Sequence, residues 1–81
     1  MFPFGSMRVH VATAAELGDT VREHRRRAGL RQDDLALAAG TGRRFISDLE
    51  RGKATVRLGA VLDVVQALGL TVEVSDRQDN G

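Results

Sequence analysis

The sequence predicts a small, mainly α fold of four short helices, with one short C-terminal strand that pairs across a dimer. Three observations lead there. Apolar residues recur at helical spacing in successive stretches, closed in turn by Gly29, Gly40, Gly52 and Gly69. Strict alternation rich in β-branched residues takes over only at Leu70-Thr71-Val72-Glu73-Val74-Ser75. The chain has 81 residues, enough for one domain. A chain of that size buries only ~60% of its unfolded surface, which favours association with a second copy.

Taken in order, Met1–Ser6 reads as residues of an expression-vector junction, because Gly5-Ser6 precedes a second methionine at Met7. Residues 7–12 form an N-terminal arm in which Arg8-Val9-His10-Val11 alternates polar and apolar. A domain over 13–75 follows, and 76–81 is a polar tail.

The first helix opens on Thr13-Ala14-Ala15-Glu16, the spacing of a capping box. Leu17, Val21, His24 and Ala28 share its inner face. Arg25, Arg26 and Arg27 occupy the last turn, where the helix dipole favours cations. The second helix runs from Gln32 to Ala39, with Asp33 and Asp34 in its first turn and Leu35, Ala36 and Ala39 facing the core. Gly40 makes the turn. The third helix runs from Arg43 to Glu50 on an inner face of Ile46 and Leu49, with Gly42 as a weak N-cap. Because Glu50 lies one turn after Ile46, the apolar face is narrow and the other face is free for a second task. The fourth helix, Leu58 to Leu68, carries Leu58, Val61, Leu62, Val65 and Leu68 at i, i+3, i+4, i+7 spacing, and Val64 widens that side.

A strand needs a partner for its backbone. Within the chain only Arg8–Val11 offers one. The expectation here is the same strand of a second copy, antiparallel across a two-fold axis, with Leu70, Val72 and Val74 as the dimerisation residues.

Two short helices around Gly40, the second opening on Arg43-Arg44, have the form of a helix-turn-helix, whose second helix enters a DNA major groove. Charge distribution agrees. Between Arg22 and Arg57 ten basic residues face five acidic ones, while the ends are net acidic, so a formal charge of only +1 conceals a basic segment around the motif.

The pattern Leu30-x-Gln32-x-x-Leu35-Ala36-x-x-x-Gly40-x-x-x-x-x-Ile46-Ser47-x-Leu49-Glu50-x-Gly52-Lys53 resembles the lambda-repressor/Cro-type (XRE) helix-turn-helix family over about residues 13–75. The ending Ala67-Leu68-Gly69-Leu70-Thr71-Val72-Glu73-Val74 resembles the HipB-type antitoxins within it. The resemblance implies a homodimer that binds double-stranded operator DNA, represses its own operon and neutralises a HipA-like kinase toxin. It also implies site residues: Gln32 braced against phosphate, Arg43 and Arg44 at base edges, Asp48 at a later reading position, Ser47 and Lys53 on the backbone. Arginine can donate two hydrogen bonds to guanine O6 and N7, and Ser and Lys suit phosphate oxygens. Asp48 either accepts from cytosine N4 or orients Arg44 at i+4; Phe45 either touches a thymine methyl or packs on the first helix. Departures from the family pattern are Arg31 in place of a Ser or Thr cap, Gly42 in place of Ser, and Thr41 in place of an aliphatic residue. No residue carries the toxin-binding surface over; the first helix and the acidic C-terminal side are the candidates.

Other classes fit poorly. Cysteine is absent, which removes disulfides and thiol chemistry. His10 and His24 are isolated, Ser47 has no adjacent base, and Gly40-Thr41-Gly42 lacks the Lys-Ser/Thr ending of a phosphate loop. Neither an enzyme nor a cofactor is expected. No apolar run approaches the ~20 residues that span a bilayer, so the expected location is cytoplasmic, at the nucleoid when DNA-bound. Two rival readings share the residues: a stand-alone XRE repressor, and a kinase-inhibiting interaction module that does not bind DNA.

Overall fold

In the computed structural model residues 8–77 are described, and the proposed junction Met1–Ser6, Met7 of the arm and residues 78–81 of the tail lie outside them. Four helices follow in order: α1 (Ala14–Arg27), α2 (Gln32–Ala39), α3 (Arg43–Glu50) and α4 (Leu58–Ala67). α1 packs on α3, and α2 packs on both α3 and α4. Their shared core is Val21, Leu35, Ala36, Ile46, Leu49, Val61, Val64 and Val65, flanked by half-buried Leu17, Phe45, Val56, Leu68 and Leu70.

Local chemistry explains the boundaries. The Thr13 hydroxyl accepts from Glu16 N–H at 3.1 Å, and the Glu16 carboxylate accepts from Ala12 N–H at 2.6 Å, so the start of α1 is closed from both sides. α2 lacks a Ser or Thr cap, and Asp34 substitutes by accepting the Arg31 N–H at 2.8 Å. That hydrogen bond, with the Arg31 charge, holds the Asp34 carboxyl below its usual range. At the end of α2, Thr41 N–H bonds to Ala36 C=O and Gly40 N–H to Leu37 C=O, the paired bonds of a Schellman stop. Gly40 takes φ +73° there, in open space, so backbone conformation alone calls for glycine.

The remaining close fit lies between α1 and α3. A Cβ on Gly18 would run into the Leu49 carbonyl oxygen and meet the Glu50 carbonyl oxygen at 2.9 Å. Gly18 therefore lets α1 cross directly over the last turn of α3. One residue turn later, Arg22 Nη2 donates to the Glu50 carbonyl at 2.8 Å, supplying a donor that α3 lacks in its own last turn.

Three expectations are corrected. Among the described residues no strand forms, and Leu70–Ser75 follows α4 without one. A ladder requires a second backbone, and residues 8–11 do not supply it; Arg8 Nε merely lies 4.0 Å from Glu73 Oε1, with both side chains exposed. α4 ends at Ala67 and buries Ala60, Val61, Val64 and Val65, while Leu58 and Leu62 remain exposed on one flank. The helix packs on α2 with Val64 fully buried on its inner side. Ala28 is exposed, since the last inner position of α1 belongs to Arg25.

Candidate nucleic-acid interface

The support beneath α3 is ionic. Ile46 and Leu49 anchor the helix in the core, but the next inner position is Glu50, which is only 3% exposed. A buried carboxylate requires compensation. Arg25, itself 8% exposed, donates from Nε to Glu50 Oε2 at 2.6 Å and from Nη2 to Oε1 at 3.0 Å. Its Nη1 donates to Leu30 C=O at 2.8 Å. Gln32 Nε2 donates to Glu50 Oε1 at 3.1 Å, and Arg22 Nε lies 3.8 Å from the same oxygen. Burial pushes the Glu50 carboxyl upwards, but the hydrogen bonds from Arg25 and Gln32 and the arginine charges outweigh it and hold it below its usual range. The hydrogen bond to Glu50 likewise raises Arg25 against the opposing effect of burial. Among the described residues every buried polar side-chain atom has a partner. One carboxylate thus fastens α1, the start of α2 and the end of α3 together.

On that support the outer face of α3 and the start of α2 enclose a shallow open cleft of about 290 Å³, lined by Gln32, Arg43, Arg44 and Ser47. Four of the six nucleic-acid residues expected from sequence therefore meet in one depression. Arg43 and Arg44 are exposed, and each is met by a carboxylate at its Nε. Arg43 Nε is 3.6 Å from Asp33 Oδ1, and Arg44 Nε is 3.6 Å from Asp48 Oδ1. Both contacts are ion pairs without a hydrogen bond, and they leave the terminal Nη edge of each guanidinium available for a paired acceptor such as a base edge or phosphate.

Asp48 is not a cleft residue. Its side chain is 13% exposed and serves three cations: Arg44, Arg51 Nη2 at 2.6 Å, and Lys53 Nζ at 3.7 Å. Of its two sequence readings, the orienting one matches this geometry. Lys53 stands beyond the end of α3, outside the cleft but linked to it through Asp48. Phe45 packs on the core, with the Arg57 guanidinium over its ring at 5.9 Å from the centroid.

Leu70 and Val72 lie elsewhere, lining an open groove of about 280 Å³ with Leu62, Val65, Gln66 and Thr71. Val74 does not line the groove and is 97% exposed.

Sequence reasoning missed Glu50 and Arg25 as the fastening pair, together with Arg22, Asp33 and Arg51. A charged residue at an inner helical position, Glu50 one turn after Ile46, was the available signal. Nothing local points to Arg25 as its mate, 25 residues earlier. Among the described residues no group of His, Cys, Asp or Glu could hold a metal ion, and no helix is long and apolar enough to cross a membrane.

A family profile described as a helix-turn-helix domain matches residues 16–78. An uncharacterized HTH-type transcriptional regulator, y4mF of Sinorhizobium fredii (strain NBRC 101917 / NGR234), is 47% identical over 68 residues, spanning 84% of this chain and 90% of that one. Among solved structures, the HipB–O4 20mer complex matches with a TM-score of 0.79 at 21% identity, covering 88% of this chain and 100% of that one. The HipA–HipB–O2–O3 complex matches with the same score, identity and coverage. At that identity the likeness establishes a common four-helix fold. Family profile, relative and fold agree: the chain belongs to the XRE-type helix-turn-helix family of DNA-binding transcriptional regulators.

Proposed function

We propose that this regulator is a repressor that binds double-stranded operator DNA as a homodimer. It places two copies of α3 in successive major grooves about one helical turn, ~34 Å, apart. The observation that carries this reading is the single cleft in which Gln32, Arg43, Arg44 and Ser47 converge. Arg43 and Arg44 read base edges, and Gln32, Ser47 and Lys53 hold phosphates. Asp48 positions Arg44 from within the protein. Occupying the promoter then excludes the polymerase.

Dimerisation runs through Leu70, Val72 and Val74. Leu70 is tied to the core, whereas Val72 and Val74, next on the same face of an alternating segment, are 57% and 97% exposed. Pairing this segment with its copy across a two-fold axis would give each backbone a ladder and cover the groove beside Leu62.

Within the family we infer an antitoxin role: repression of its own operon and neutralisation of a kinase toxin. Likeness to HipB, and to the HipA–HipB complex in particular, supports it. The stand-alone repressor is the second reading, favoured by the name of the 47% identical relative, which is simply an HTH-type transcriptional regulator. A mobility-shift assay on the DNA upstream of the gene tests the shared part. A band that is independent of sequence would contradict it. Co-purification of the tagged chain with the product of a neighbouring kinase gene separates the readings, and its failure leaves the stand-alone repressor.

A further inference from the structure

We propose that Asp33 is a specificity-determining residue, a carboxylate that commits Arg43 to a base edge and against the phosphate backbone. The proposal rests on Arg43 being a reader. Asp33 and Arg43 come from different helices and meet at the rim of the cleft, Oδ1 to Nε at 3.6 Å, with both side chains about two-thirds exposed (65% and 67%).

Two physical consequences follow from that placement. First, the carboxylate lies by Nε and so leaves the Nη1/Nη2 edge of the guanidinium as the one open to a base. A guanine presents O6 and N7 to two parallel N–H donors, which the Nη edge supplies while Nε stays with Asp33. The ion pair biases Arg43 towards the orientation that reads a base and so lowers the ordering cost before DNA arrives. Second, an arginine without such a mate reaches any phosphate it meets, and that contact is independent of sequence. Asp33 competes for Arg43 there and brings a negative charge towards the DNA backbone.

Arg44 differs in this respect. Its mate Asp48 is 13% exposed and shared with Arg51 and Lys53, so that charge is neutralised within the protein. Asp33 faces solvent at the cleft rim, so its charge weighs directly on how the basic face meets any duplex. Being exposed and outside the core, it can be changed without disturbing the fold. Asp33→Asn removes the charge and keeps the shape.

The test selects a preferred duplex from a random pool with the full wild-type chain. Wild type, Asp33→Asn and Arg43→Ala are then titrated on that duplex and on a scrambled duplex of the same composition, across a range of salt. Asp33→Asn should remain folded, melting slightly below wild type because α2 loses one first-turn carboxylate. It should bind the scrambled duplex more tightly, and its ratio of selected to scrambled affinity should fall by about threefold or more. The salt slope on scrambled DNA should steepen by about 0.9, the signature of one added phosphate contact. Arg43→Ala should lower the same ratio by reducing affinity for the selected duplex. If Arg43→Ala lowers the ratio but Asp33→Asn leaves ratio and slope unchanged, Asp33 is a bystander and this proposal alone is overturned. If Arg43→Ala leaves the ratio intact, Arg43 is not a reader and the proposal falls with that assignment.

Discussion

Glu50 ties α1, α2 and α3 together, and its effects can be separated from those of the proposed DNA face. Arg25 and Glu50 are both buried and doubly hydrogen-bonded, so deleting one strands the other. Glu50→Ala and Arg25→Ala should each cost about 3–5 kcal/mol of folding stability, whereas the double replacement Arg25→Met/Glu50→Leu should cost far less. Urea unfolding of the four proteins checks this. The pair also sets a pH dependence. Since the folded carboxyl lies below its unfolded value of about 4.3, its contribution is complete above that pH and disappears as pH falls through the folded value. Wild type should lose stability from about pH 4.3 downwards, and the Met/Leu double variant should lose less over the same interval. At the DNA face the expected effect is different in kind: Arg43→Ala or Arg44→Ala should leave stability nearly unchanged and relax base preference by about 1–3 kcal/mol per lost bidentate contact.

Elements differ in how far local sequence dictated them. α2 and α3 fall at the bounds that periodicity and glycine spacing indicate, Gln32–Ala39 and Arg43–Glu50, because each is held by signals within its own few residues. Gly40 supplies the left-handed turn, and Ile46 and Leu49 supply the anchor. α4 is less determined by its own residues, since Leu58, Val61, Leu62, Val64, Val65 and Leu68 offer more apolar positions than one face can bury. The choice of face is made by α2, which no local pattern reports. Gly18 was invisible for a similar reason: its requirement comes from the backbone of α3, some thirty residues away in sequence. Gly18→Ala keeps helix propensity favourable, yet it should destabilise by about 1–3 kcal/mol by forcing α1 away from Leu49 and Glu50. Thermal melts of this variant beside Gly59→Ala, inside α4 where a Cβ meets nothing within 4 Å, provide the comparison. Equal melting temperatures would show that the α1–α3 crossing is not close in solution.

For the whole molecule, the one strongly predicted element that does not form is the strand, and the reason is physical. Leu70–Ser75 alternates as a strand should, but a ladder joins two backbones and this chain supplies one. The four-helix unit and the cleft on it were largely legible in the sequence; the proposed second copy enters only as a requirement that the alternating segment leaves unmet. Under the proposed dimer, Val72→Pro removes a ladder donor and should give a folded monomer by sedimentation equilibrium with greatly weakened operator binding. A Val72→Pro protein that stayed dimeric would move the interface elsewhere. Whether α3 reads DNA by sequence is decided by affinity for a selected duplex relative to a scrambled one, with Arg43 and Arg44 both changed to alanine in a chain shown to be folded. With both readers removed this ratio should collapse towards one, while residual salt-dependent binding through the remaining cations persists. A ratio equal to that of wild type would contradict sequence reading by α3.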